Sequence, residues 1–256
     1  MVPLALGAAY YGNFIFLAFW TVAALGVLWE WDAMVCVHDR NPVFTIGAVA
    51  IVGACLLWAT DRAVAALILL SLGALGVATL ASKIRRFWCV IGVMYAGALL
   101  IAPVILRMDP ALGLTAILYL FAVVWVTDIT AYAAGRALGG PKLMPRVSPN
   151  KTWTGAVFGL AGGVSGGIAL AKFAGLENLV AIGLIAFVLS IVSQAGDLLE
   201  SAIKRQFKVK DASWLIPGHG GLMDRLDGFL TAGAVAVLIG LAHGGVAAPS
   251  RGLLVW

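Results

Sequence analysis

Of 256 residues, 62% are hydrophobic and only 11% charged, against roughly a quarter charged in soluble domains. With a mean hydropathy of +1.02, this excludes a disordered tail, a disulfide scaffold and a DNA-binding domain. The net charge of +5 is therefore read first as membrane topology, and no nucleic-acid partner is expected. Lipid leaves no partner for an open backbone, so the spans are helices or a closed barrel. The apolar runs are continuous rather than alternating, which excludes the barrel.

In chain order, Val2 to Tyr10 is apolar but too short to span, and reads as a re-entrant or interfacial piece or the remnant of a ninth helix. Eight spans follow, at about 13 to 29, 43 to 59, 63 to 81, 87 to 105, 111 to 127, 154 to 174, 178 to 197 and 228 to 244. The expected fold is an all-α integral membrane protein: a polytopic bundle of about eight transmembrane helices plus a short N-terminal apolar segment. It reads as one membrane domain, with N-terminal helices over 1–124 and the polar motifs in the helices and loops of 125–256. No Lys or Arg precedes Arg40, so the first apolar segment lacks the basic flank of a cleavable signal peptide and is expected to be retained. Cys36, Cys55 and Cys89 are far apart and odd in number; they read as packing residues, not as a disulfide framework or a metal site.

Alternating the eight spans puts thirteen Lys and Arg on one face of the membrane and four, Arg62, Arg107, Lys172 and Arg251, on the other. The richer face is expected to be cytoplasmic. Trp29, Trp31, Trp58 and Trp88 fall at span ends, as an interfacial aromatic belt requires. The long extramembrane stretches, about 128 to 153 and 197 to 227, both lie on that face, and the chemistry is expected there.

The seventh span ends with Gln194, Asp197, Ser201 and Lys204 spaced i, i+3, i+7 and i+10, with Glu200 within reach. Such a face is a site or, for Asp197 and Glu200 alone, an intrahelical pair with Lys204 or a solvated helix end. Further on, Pro217-Gly218-His219-Gly220-Gly221 precedes Asp224, Arg225 and Asp227 at the start of the last span. Glycines around a histidine let backbone N–H groups converge on an anion, while acids in a first turn are also favoured by the helix dipole alone. Asp197 and Asp224, from separate helices, are candidates to hold Mg²⁺, a hard cation that binds through one or two carboxylates plus phosphate oxygens and water. Five basic and five acidic residues lie between Asp197 and Asp227 inclusive. A polybasic lipid patch would not be neutral, whereas metal-binding acids mixed with phosphate-binding bases would be.

The other stretch opens with Asp128, Tyr132 and Gly135 on one helical face and closes with Ser148, Lys151 and Thr152 before the sixth span. Helix N-terminal amides, a cation and hydroxyls suit an anion, although Ser and Thr there are also ordinary caps. Asn150-Lys151-Thr152 matches a glycosylation sequon on the wrong side of the membrane for its use. His38 and His243 have no partner at ligand spacing. No nucleoside-triphosphatase, zinc-protease, serine-hydrolase or dinucleotide-binding motif occurs at a usable position.

The run from Ser201 through Lys204, Arg205, Lys210 and Ser213 to Ile216-Pro217-Gly218-His219-Gly220-Gly221-Leu222-Met223-Asp224-Arg225-Leu226-Asp227 resembles the signature of the phosphatidate cytidylyltransferases, or CDP-diacylglycerol synthases. Asp128 with Ala131-Tyr132 and Gly135-Arg136, Ser148-Pro149-Asn150-Lys151-Thr152-Trp153, and Gln194-Ala195-Gly196-Asp197 resemble further family motifs. The resemblance covers roughly Trp125 to Gly228. It implies transfer of CMP from CTP to phosphatidate, giving CDP-diacylglycerol and pyrophosphate in phospholipid biosynthesis. It also implies Mg²⁺ on the acids matching Asp197 and Asp224, with K⁺ as a second cation. Catalytic roles are expected for Asp197, Asp224, Lys204 and Asp227. Substrate-binding roles are expected for Asp128, Ser148, Lys151, Thr152, Ser201, Arg205, Lys210, His219, Gly220, Gly221 and Arg225.

Two departures stand out: Thr154 replaces a common Glu, and the family's amino-terminal helix is here only the short stub. The expected setting is a multi-pass membrane protein with its site facing the cytoplasm, in the cell inner membrane if the source is bacterial. Small-xxx-small pairs such as Gly162 and Gly166 would suit helix packing or a homodimer. Alternatives are a CTP-dependent cytidylyltransferase or kinase acting on another lipid phosphate or polyprenol, and, in a different class, a cation-coupled transporter.

Overall fold

The computed structural model describes residues 2–36, 40–213 and 220–256. Its helices are α1 (Val2–Tyr11), α2 (Asn13–Val35), α3 (Arg40–Ala59), α4 (Ala63–Leu80), α5 (Arg86–Arg107), α6 (Gly113–Leu138), α7 (Trp153–Phe173), α8 (Leu179–Gln206), α9 (Met223–Gly244) and α10 (Pro249–Leu254). Eight of them, α2 to α9, are long and apolar enough to cross a membrane. Gly12, with φ 65°, separates the short α1 from α2, since a left-handed residue ends the first helix without a Cβ penalty.

Several helices outrun their apolar cores. The fifth apolar run does not set the length of α6, which continues from the expected end at 127 to Leu138, and α8 continues from 197 to Gln206. Hydropathy marks where hydrocarbon ends, and the backbone keeps its i to i−4 bonds beyond that point. The all-α expectation misses one element, an antiparallel hairpin of β1 (Lys142–Met144) and β2 (Ser148–Thr152), paired Lys142 with Thr152 and Met144 with Ser148. Pro141, Pro145 and Pro149 interrupt helix formation over this stretch.

The chain forms two compact units, Met1–Val104 with Gln206–Arg225, and Ile105–Arg205 with Leu226–Trp256. In the first, Trp31 Nε1 donates to the Trp88 carbonyl at 2.9 Å and Arg85 donates to the Val35 carbonyl at 2.8 Å, tying the end of α2 to the start of α5. Cys36 and Cys89 meet there in a disulfide with Cα atoms 6.1 Å apart. This corrects the reading of all three cysteines as packing residues. Their 53-residue separation obeys no short spacing rule, and the contact exists only because two distant helix ends converge. Cys55 is a free thiol.

In the second unit, glycines bring α7 onto α6. Gly155, Gly159, Gly163 and Gly167 recur every four residues and are buried, so one α7 stripe carries no side chain. A Cβ at Gly159 would lie 2.8 Å from that of Ala131 and 3.0 Å from the Thr127 carbonyl oxygen. Gly162 and Gly166 likewise face Thr130 and Val126 within the same chain. Tyr119 donates to the Ile182 carbonyl at 2.6 Å, and Thr127 and Ser190 hydroxyls lie 2.8 Å apart, so polar groups buried in the bundle find partners and hold α6 against α8.

Candidate functional site

Close approach of α8 and α9 creates the main acidic cluster. A Cβ at Gly228 would lie 2.9 Å from Ser193 Oγ and 3.2 Å from the Ser193 carbonyl oxygen, so two glycines, Gly196 on α8 and Gly228 on α9, let the backbones meet. Thr231 fills the space opposite Gly196 and donates to the Val192 carbonyl at 3.2 Å. This places Asp227 beside the α8 acids: ligand oxygens of Asp197, Glu200 and Asp227 all lie within 4.8 Å of one another. Asp227 is 8% exposed and Glu200 2%. Asp227 also accepts its following amide, Gly228 N, at 2.7 Å.

Three carboxylates so close repel one another unless positive charge is brought among them. Two lysines supply it. Lys151, at the end of β2, forms an ion pair with Asp197. Lys204, one turn after Glu200 on α8, pairs with it at 2.8 Å and is itself buried. Of the two plain alternatives, the intrahelical pair with Lys204 is present, with Glu200 as its partner, and it forms part of the acidic cluster. The donor set, three hard carboxylate oxygens with phosphate-compatible lysines around them, fits a divalent cation.

The hairpin frames this cluster. Arg205 Nε donates to the Val147 carbonyl at 3.3 Å, joining α8 to the β1–β2 turn. Thr152 is buried and caps α7, its hydroxyl accepting from Gly155 N at 3.1 Å. The cap reading therefore describes this hydroxyl as it stands. Thr154 donates to the Gly139 carbonyl and so closes the base of the hairpin. Ser148 and Ser201 are half-buried and Asp128 is exposed on α6. Arg136 donates to Tyr132 Oη at 2.8 Å along the same helix.

The other expected site residues belong to the first unit. Asp224 Oδ2 accepts from Gly221 N at 2.9 Å and Ala212 N at 3.4 Å, a carboxylate reaching back three residues as in a capping box. Gly220 has φ 81°, and a Cβ there would sit 3.1 Å from Asp224 Oδ2. Glycine is thus required by both backbone and space. Lys210 and Arg225 are exposed. His219 and His38 lie outside the described residues. His243 Nδ1 lies 3.0 Å from the Gly252 carbonyl oxygen and stacks on Trp256 at 4.0 Å, a packing role.

Sequence reasoning assigned no role to Glu30, which is fully buried near the end of α2. It accepts from Leu222 N at 2.8 Å, Met223 N at 2.6 Å and the Ser213 hydroxyl. The one available signal was an acid at the very end of the first expected span, between two tryptophans, Trp29 and Trp31.

Comparison with known proteins converges on one family. The model of the family described as "Cytidylyltransferase family" matches residues 1–242. Over 158 residues, the chain is 52% identical to a phosphatidate cytidylyltransferase of Brucella abortus biovar 1 (strain 9-941), covering 62% of this chain and 58% of that protein. A Staphylococcus haemolyticus (strain JCSC1435) protein of the same name is 42% identical over 144 residues, 56% of this chain and 54% of its own. One from Bacillus subtilis (strain 168) is 46% identical over 123 residues, 46% and 44% of the two chains. The matched region thus spans somewhat more than half the length of the first of these relatives, and about half or less of the others.

Proposed function

The chain belongs to the cytidylyltransferase family, and on that premise we propose that it transfers CMP from CTP to phosphatidate, releasing pyrophosphate and forming CDP-diacylglycerol for phospholipid synthesis. The observation that carries this reading is the cluster of Asp197, Glu200 and Asp227 with Lys151 and Lys204 set on its carboxylates. It combines cation-binding and phosphate-binding groups in one place, as a reaction between two phosphate esters requires.

The phosphate of phosphatidate attacks the α-phosphorus of CTP; a P–O bond forms to the lipid oxygen and the bond to the β-phosphate oxygen breaks. No nucleophile from the chain is needed, because the lipid phosphate is the attacking group. What the chain supplies is position and charge. Asp197, Glu200 and Asp227 would hold a divalent cation, Mg²⁺ in this reading. Asp224 is kept in the metal-binding set on the strength of its motif, and K⁺ is the proposed second cation. The ion's contribution is to neutralise phosphate oxygens as negative charge builds on the leaving pyrophosphate.

Lys151 and Lys204, whose ammonium groups pair with Asp197 and Glu200, would present positive charge to the phosphate oxygens of the substrates. Arg205, Lys210 and Arg225 offset the triphosphate charge, with Ser148, Ser201, Thr152 and the Gly220 amide as hydrogen-bond donors and Gly221, whose N–H is held by Asp224, shaping the loop; Asp128 and His219 complete the substrate-binding set. The acyl chains remain in the bilayer. The excess of Lys and Arg on one face supports a site facing the cytoplasm, where CTP is available, and in a bacterial cell the inner membrane.

Purified protein given labelled CTP, Mg²⁺ and a panel of lipid phosphates tests the proposal. Phosphatidate should give labelled CDP-diacylglycerol and one pyrophosphate per turnover. Turnover only with an isoprenoid lipid phosphate would reassign the acceptor. Pyrophosphate release with none of them would remove the enzymatic reading.

A further inference from the structure

Glu30 sits in the first long helix, ahead of every motif that points to the reaction. It is 0% exposed, in a span where an isolated carboxylate is costly. Both of its oxygens are engaged: Oε1 accepts from Leu222 N and the Ser213 hydroxyl, and Oε2 accepts from Met223 N. The first amides of a helix have no intrahelical acceptor. At α9 the cap for two consecutive amides comes from a residue 192 and 193 positions earlier in the chain.

The loop and α2 are shaped to each other at two further points. Gly26, one turn before Glu30, leaves the space that Leu222 fills, for a Cβ there would lie 2.7 Å from Leu222 Cδ2. Gly221 is bare on the side facing Glu30, where a Cβ would lie 3.0 Å from both carboxylate oxygens. Its N–H is directed to Asp224. Asp224 and Arg225 follow directly on the two amides that Glu30 holds. One side of this turn is therefore fixed by Asp224 itself and the other by Glu30.

We propose that Glu30 is a positioning residue for the proposed cytidylyl transfer: its carboxylate, seated with Gly26 on one face of α2, fixes the Gly220–Arg225 turn so that Asp224 and Arg225 are presented in one orientation. The inference rests on the functional reading above, but its physical part, the clamp on the turn, is measurable without turnover. Glu30→Gln keeps the shape and replaces one acceptor oxygen by an amide nitrogen facing backbone N–H donors. Glu30→Asp keeps the charge and withdraws it by one methylene.

The test combines hydrogen exchange of residues 220–225 with steady-state kinetics in CTP and phosphatidate, on the full chain in detergent or nanodiscs. In Glu30→Gln the Leu222 and Met223 amides should exchange at least about 10-fold faster, equivalent to losing roughly 1.4 kcal/mol of protection, with the other spans unchanged. The kcat should fall about 10- to 100-fold with KM for phosphatidate within about threefold, since misplacement acts on the reacting geometry. Glu30→Asp should lie between Gln and wild type in both readouts. Local deprotection with wild-type kcat would overturn the positioning role, as would unchanged exchange or loss of protection throughout the protein. Inactive wild-type protein whose turn is nevertheless clamped by Glu30 would instead count against the cytidylyltransferase reading, and would overturn a role in that reaction while leaving the clamp itself measured.

Discussion

Glu200 in one unit and Glu30 in the other are both almost entirely removed from solvent, 2% and 0% exposed, yet they meet different partners. Glu200 lies among two further carboxylates and pairs with Lys204. Among the described residues, Glu30 accepts from neutral N–H and O–H donors of one short segment. Ammonium groups on flexible stems can exchange for a metal ion or follow a phosphate. Backbone amides at a helix start cannot leave without unwinding the turn. The first arrangement suits a site whose charges must be redistributed when substrates arrive, the second a support that must stay fixed.

The largest effect should come from the acids of the α8–α9 cluster. Asp197→Asn and Asp227→Asn should each lower kcat by about 100- to 1,000-fold or more, the scale of removing one preorganised charge-stabilising group, while membrane insertion and detergent-solubilised yield stay near wild type. Residual turnover within a few-fold of wild type in both would break the assignment of this cluster to chemistry.

The lysines should separate next. Lys204→Met takes a cation from a buried carboxylate, and should cost about 3–5 kcal/mol of stability as well as activity. Lys151 pairs with an Asp197 that is more than a third exposed. Lys151→Ala should thus leave thermal stability within about 1 kcal/mol and raise KM for CTP several-fold, with the defect growing smaller at high salt. Equal loss of stability in both would blur the distinction between a buried pair and a substrate-facing one.

Much of this was legible in sequence, for physical reasons that also explain the rest. Continuous apolar runs reveal spans because lipid tolerates nothing else, and α2 to α9 follow the eight runs in order. Asp197, Lys204 and Asp227 stood out because ionised residues are scarce in such a chain. Helix ends were not legible, since α6 and α8 carry on through polar turns after the hydrocarbon stops. The β1–β2 hairpin has too few residues, and too many prolines around it, to show a period of two. Glu30 carried no signal of its role because its partners lie more than 180 residues away. The Cys36–Cys89 pair is the same kind of fact, a contact made by packing rather than spacing.

The most direct test of the central claim is a titration of Mn²⁺, followed by electron paramagnetic resonance, into wild-type protein and into Asp197→Asn and Asp227→Asn. Loss of a ligand from the Asp197–Glu200–Asp227 cluster should weaken Mn²⁺ binding by at least about 10- to 100-fold, the scale already reached by outer-shell changes at metal sites. Binding of Mn²⁺ with wild-type affinity by both variants would contradict the claim that these carboxylates hold the cation.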